Sequence, residues 1–116
     1  IEWERAARGA DGREFPHGDT LLPGDANFDE TYGKNPDAMG PDEVGGYPQS
    51  SSPFDLFDMV GNAFEWTESS LAPSEFVGRG GSASYEPNTS KATNRHVTSE
   101  SLREASRGLR ICANAP

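Results

Sequence analysis

The sequence predicts a small, loop-rich fold that mixes one short helix with a few short strands. Three observations carry this. At residues 1–8, Trp3, Ala6 and Ala7 recur at i, i+3 and i+4, and Gly9 follows as a stop, so the stretch reads as a helix. From residue 10 to residue 52 the chain is dominated by Gly, Pro, Asp and Asn and has little periodicity, which reads as one long loop. After the Gly61-Asn62 turn the pattern alternates, with Phe64 and Trp66 on one side and Ala63, Glu65 and Thr67 on the other. Strands are therefore expected at 63–67, 76–80 and 108–113, and a short helical turn at 102–106.

Composition limits what the fold can do alone. The chain has 116 residues, with 13 Gly, 9 Pro and only 33% hydrophobic residues. That is a poor supply for a self-sufficient core in a domain this small. The net charge of -9 disfavours nucleic acid and anionic membrane surfaces as partners. No apolar run approaches the ~20 residues of a helical membrane span. The single cysteine, Cys112, has no partner for an internal disulfide. It sits in the apolar-flanked run Leu109-Arg110-Ile111-Cys112-Ala113 and is expected to be a buried, inert thiol.

The segment 57–67 carries the strongest chemical signal. Asp58 and Glu65 flank a turn made by Gly61 and Asn62, both suited to left-handed backbone. Two readings stand. One is a capped turn with solvated acids. The other is a site for a hard, oxygen-liganded cation such as Ca²⁺, since carboxylates around irregular backbone with free carbonyls are what that ion takes.

Seven short motifs run in order along nearly the whole chain: Glu2-Trp3-Glu4-Arg5-Ala6-Ala7-Arg8-Gly9; Phe15-Pro16-His17-Gly18; Ala26-Asn27; Glu43-Val44-Gly45-Gly46-Tyr47-Pro48; Asp58-Met59-Val60-Gly61-Asn62-Ala63-Phe64-Glu65-Trp66; Arg79-Gly80-Gly81-Ser82; and Gly108-Leu109-Arg110. Together they resemble the formylglycine-generating enzyme, or sulfatase-modifying factor, family. The resemblance implies an α+β, C-type-lectin-like fold. It also implies that the chain is the C-terminal portion of such a domain, with its N-terminal half as a partner elsewhere. The first helix, which begins without a cap, agrees. Trp3, Phe64, Trp66 and Leu109 are then expected to pack partly against that other half.

The resemblance further implies Ca²⁺ sites. One would use the side chains of Asp58 and Glu65 with the carbonyls of Gly61 and Ala63. A second would use the Asn27 side chain and Phe28 carbonyl, with Asp37 and the Met39 carbonyl as the best-matching second pair; a plain Asx turn at Asn27 is the alternative. The family's oxidases hold Cu(I) through two cysteines after the Gly-Gly-Ser motif. The corresponding positions here are Tyr85 and Ser90, and neither is the soft thiolate that Cu(I) requires. No copper is expected, and no catalytic residue is assigned. His17 and His96 stand alone in loops, and no nucleophile elbow marks a Ser-His-Asp triad. Arg79, Arg95 and Arg110 are expected in ion pairs or bonded to loop carbonyls. The expected function is a non-catalytic, calcium-stabilised recognition or regulatory module of a larger protein, with a protein or peptide ligand. The alternatives are a formylglycine-type or related metal-dependent oxidase with a divergent site, and a structural appendage of a protease or kinase.

Overall fold

The computed structural model describes residues 1–68 and 72–113. The helix α1 spans Glu2–Arg8 and stops at Gly9, whose φ of 69° closes the last turn. Four strands follow: β1 (Phe64–Thr67), β2 (Glu75–Arg79), β3 (His96–Ser99) and β4 (Arg107–Gly108). They form one mixed sheet in the order β3-β2-β1-β4. β1 pairs antiparallel with β2, and β2 with β3, while β4 lies parallel to β1 with Phe64 opposite Arg107. Such a mixed sheet with few helices is an α+β fold.

The long loop is irregular, as expected, apart from 3₁₀ turns at Pro36–Ala38 and Pro48–Ser50. Both open on proline, which presets φ and has no N–H to leave unpaired. Among the polar contacts that hold the loop, a connected set leads to one turn. The Asn62 N–H donates to the Asn27 carbonyl at 2.7 Å, and Asn62 Oδ1 accepts from the Asp42 N–H at 2.7 Å. Asp42 then gathers Tyr32 and Tyr47, whose hydroxyls donate to its Oδ2 at 2.8 and 2.6 Å.

Two small apolar clusters form the core. Phe15, Ala26, Phe28 and Val60 make the first, joined by Leu21. Ala7, Met59 and Ala92 make the second, with Trp3, Ala6 and Leu56 against them. Val60 and Met59 are neighbours in sequence, so the segment before the turn feeds both clusters.

Several expectations need correction. The stretch 102–106 forms no helix; it is irregular up to a turn at 105–106 that leads into β4. The last strand is only Arg107–Gly108, because β1 offers a parallel partner to those two residues alone. Residues 109–113 run on outside the sheet, so Cys112 is exposed rather than buried. Strand β3 was not anticipated, since His96-Val97-Thr98-Ser99 is short and half polar; its pairing with β2 makes it. Phe64 is fully buried within this chain, whereas Trp3 and Trp66 are half-buried and Leu109 is exposed.

Gly61 provides a direct test of how tightly the turn is seated. It has φ +70°, and a Cβ there would overlap the Asn27 carbonyl oxygen. Gly33 has a similar φ of +65°, but its Cβ would meet nothing within 4 Å. Gly33→Ala should cost about 1 kcal/mol, the penalty of left-handed backbone alone. Gly61→Ala should cost more than twice that. Urea unfolding of the two variants measures the difference, and equal losses would show that the turn is not clamped on Asn27.

Candidate functional site

The site is built on a chain reversal. Asp58, Gly61 and Asn62 all have positive φ (58°, 70° and 63°), so the backbone between Phe57 and Ala63 turns sharply before entering β1. That turn aims Glu65 inward, where it is only 7% exposed. Its carboxylate is fully engaged. Arg110 Nε donates to both oxygens at 3.0 Å, Arg110 Nη2 donates to Oε1 at 2.6 Å, and Trp3 Nε1 donates to Oε2 at 2.5 Å. Three N–H groups thus converge on its two oxygens, the single Nε–H of Arg110 bridging both. Arg110 Nη2 also donates to the Phe57 carbonyl at 2.8 Å. The hydrogen bonds that Arg110 donates to Glu65 raise its pKa above its ordinary value, and the charges of Glu65 and Asp58 add to this.

Asp58 and Glu65 are thus brought to one place, but around a guanidinium. Asp58 Oδ2 itself accepts from the Gly45 N–H at 2.7 Å. The carbonyls of Gly61 and Ala63 belong to the same turn. As arranged, this group does not fit Ca²⁺: its deepest carboxylate already holds an internal cation.

Asn27 is different. It is 1% exposed, and its Nδ2 donates to the Gly40 carbonyl at 2.7 Å and to Asn62 Oδ1 at 3.2 Å. Both partners are acceptors, which fixes the amide orientation. Oδ1 is therefore the remaining polar atom, and it is buried without a partner. An orphaned buried acceptor costs about 1–3 kcal/mol unless a donor or a cation meets it. Asn27 fits an oxygen-seeking cation. The bond to the Gly40 carbonyl brings Gly40, the residue after Met39, against Asn27. Asp37 lies in the 3₁₀ turn with an exposed side chain, its N–H bonded to Asn35 Oδ1, and Met39 is half-buried at the turn's end. The Phe28 carbonyl already accepts from the Thr31 N–H at 3.0 Å, leaving its second lone pair.

Sequence reasoning missed Asp29. Its Oδ1 is also buried without a partner, while Oδ2 meets Lys34 at 3.3 Å. Its place two residues after Asn27 was the available signal. Among the described residues no three His, Cys, Asp or Glu side chains converge as a metal cluster. A cation at Asn27 would rest mainly on amide and backbone oxygens, a donor set suited to Ca²⁺.

The positions after Gly-Gly-Ser are packed. Ser90 is fully buried against Gly81, where any Cβ would collide with it. The Tyr85 ring meets Phe64 edge-on at 5.2 Å and His96 at 5.6 Å. His96 stacks on Phe64 at 4.7 Å, and burial together with Arg107 pushes its pKa down, so it is a neutral packing group at pH 7. His17 stacks on Phe15 and lies 3.4 Å from Asp25. Arginines act as expected. Arg79 donates to Glu4 and to the carbonyls of Ala92 and Asn94 at 2.7–2.8 Å, and Arg95 reaches Glu4 at 3.1 Å. Burial pushes the Glu4 carboxyl up, but Arg79, Arg95 and Arg8 together hold it below the usual range.

Comparison with known proteins places this arrangement. The formylglycine-generating enzyme of Mycobacterium tuberculosis (strain ATCC 25618 / H37Rv) is 35% identical over 80 residues, covering 62% of this chain and 26% of that protein. Treponema denticola variable protein 1 superposes with a TM-score of 0.72 at 22% identity, over 93% of this chain and 43% of its own. PvdO from Pseudomonas aeruginosa gives 0.73 at 20% identity, over 93% and 48%. The chain therefore spans about a quarter of the curated relative and under half of each solved structure; the latter two share its fold. The profile of the Sulfatase-modifying factor enzyme 1-like domain matches residues 1–115, and the chain belongs to that family.

Proposed function

We propose that this chain serves as a non-catalytic, calcium-stabilised recognition or regulatory module of a larger protein, on the C-type-lectin-like arrangement its family resemblance implies. The observation that carries this reading is the state of Tyr85 and Ser90. The family's copper chemistry calls for two thiolates at these positions, and here a phenol packs on Phe64 and His96 while a hydroxyl is buried against Gly81. The one thiol, Cys112, lies exposed on the closing segment. Calcium is assigned to Asn27, with the Phe28 carbonyl and the 37–39 segment completing the shell alongside water. Its part there is structural: it satisfies Asn27 Oδ1 and pins the long loop. The rival is an oxidase whose remaining ligands lie outside this chain, favoured by the 35% identity to a formylglycine-generating enzyme.

Three outcomes follow. A ligand that binds only the native state stabilises it by about 2.7 kcal/mol at a hundredfold excess over Kd. Adding a chelator should therefore lower the melting temperature, and Asn27→Ala should remove the difference. A melting curve indifferent to chelator would sink the calcium assignment.

Glu65→Gln should destabilise by about 2–4 kcal/mol, somewhat below a fully buried pair because Arg110 is partly exposed. The loss should be equal with and without calcium. A loss confined to calcium-loaded protein would return the metal to Glu65.

Incubation with Cu(I), oxygen and a sulfatase-type cysteine peptide should yield no aldehyde. Turnover that disappears in Ser90→Ala would overturn the non-catalytic reading.

A further inference from the structure

One carboxylate of α1 gathers more positive charge than it can balance. Glu4 Oε2 accepts from Arg79 Nη2 at 2.8 Å and from Arg95 Nη2 at 3.1 Å, and its Oε1 lies 3.4 Å from Arg8 Nε. The chain as a whole is acidic, with 19 Asp and Glu against 10 Lys and Arg. At Glu4 the balance is reversed, with three guanidiniums on one carboxylate. The crowding reaches the buried member of the group. Burial pulls the Arg79 pKa down against its bond to Glu4, and the charges of Arg95 and Arg8 press the same way.

The excess faces an open pocket of about 230 Å³ between α1 and the residue that leads into β3. Arg5, Arg8 and Arg95 line it with Glu4 and Gly9, and Ile1 stands beside them. Among the described residues in that lining, Glu4 is the only acid. Donors are left over. A guanidinium carries five N–H groups in a planar fork. Arg8 gives Nη1 to the carbonyls of Gly12 and Arg13, while Arg95 gives Nη1 to Thr93 and Nη2 to Glu4. The exposed Arg5 guanidinium has no bonded partner among the described residues.

A pocket walled by one sign of charge focuses its field and gathers counter-ions. Guanidinium forks match the paired oxygens of an oxyanion. The cations on Glu4 exceed its charge by two, and Arg5 adds a third, so a dianion suits the pocket better than a carboxylate. The volume holds a phosphoryl group together with a few waters at ~30 Å³ each.

We propose that the pocket lined by Arg5, Arg8 and Arg95 is a binding site for a phosphoryl group. Arg5 supplies the unused fork. Arg8 and Arg95 supply their remaining N–H groups, and Glu4 holds those two in place. The site is separate from the calcium reading, since neither Asn27 nor its neighbours line this pocket.

The probe is O-phosphoserine, titrated calorimetrically into the full-length protein at fixed ionic strength. Saturable binding is expected, modest in strength because Arg5 and Arg95 are exposed and screened. Serine and acetate should bind at least about tenfold more weakly. Arg5→Gln and Arg95→Gln should each weaken O-phosphoserine by about tenfold, equivalent to 1.4 kcal/mol. Arg103→Gln, at an exposed arginine outside the pocket, should leave it unchanged. The melting temperature of Arg5→Gln should match that of the parent, because no bond within the described chain is lost. No saturable binding below about 10 mM overturns the proposal. So does acetate that binds as tightly as O-phosphoserine, or a loss in Arg103→Gln equal to that in Arg5→Gln, which would mean diffuse attraction without a site. A chelator that abolishes the calcium effect should leave O-phosphoserine affinity as it was, so the two readings fail separately.

Discussion

The Gly61-Asn62 turn is the constraint on which the rest of the structure depends. Gly61 donates its N–H to the Gly80 carbonyl at 2.7 Å, and the Asn62 carbonyl accepts from the Ala83 N–H at 3.0 Å. The same Asn62 holds Asn27 through its backbone N–H and Asp42 through its side-chain oxygen. One dipeptide therefore joins the long loop to the Gly-Gly-Ser segment and launches β1. Few apolar residues are available to do this by burial. Backbone groups do it instead, and each bond made in a water-poor interior avoids the larger cost of an unpaired polar group. The left-handed backbone is the means: an extended dipeptide could not present amide, carbonyl and side chain to three segments at once.

Electrostatics follow the same economy of few groups with many partners. The chain is acidic, yet its buried arginines gather the carboxylates into two nodes. Glu4 accepts from Arg79 and Arg95 and pairs with Arg8 at 3.4 Å, while Glu65 holds Arg110 and Trp3. Arg79 also lies 5.1 Å from the Trp3 ring centroid, so α1 is bound to the sheet by one indole and two ion pairs. The planar fork of arginine suits such crowded nodes better than the point charge of lysine. These contacts explain why a helix without a side-chain cap stays docked: it is held from its face and not its end.

What the sequence made legible depended on local signals. The helix 1–8, the irregular loop and strand β1 each have periodicity or turn chemistry that short windows reveal. Strand β3 does not, because His96-Val97-Thr98-Ser99 becomes a strand through pairing with β2. The failure at Cys112 has the same origin. An apolar-flanked cysteine reads as buried only if something covers it, and coverage is a long-range property. Glu65 shows a subtler limit. Its position between turn and strand fits a metal ligand as well as an ion-pair partner, and only the return of Arg110, 45 residues later, decides which contacts its oxygens make. Asn27 was identifiable as a turn residue, but the orphaned Oδ1 depends on where Gly40 and Asn62 fall.

The Glu65 node and the exposed closing segment are linked through one residue. Arg110 secures Glu65 beneath the turn, while its neighbours Leu109 and Ile111 stay exposed. Moving Arg110 would loosen the turn, leave Trp3 alone on the Glu65 carboxylate and release the closing segment together. Separate functions for these regions would favour separate anchors. Their shared anchor makes the closing segment a structural seam, at which the turn, the helix and the segment after β4 are all set by the same carboxylate.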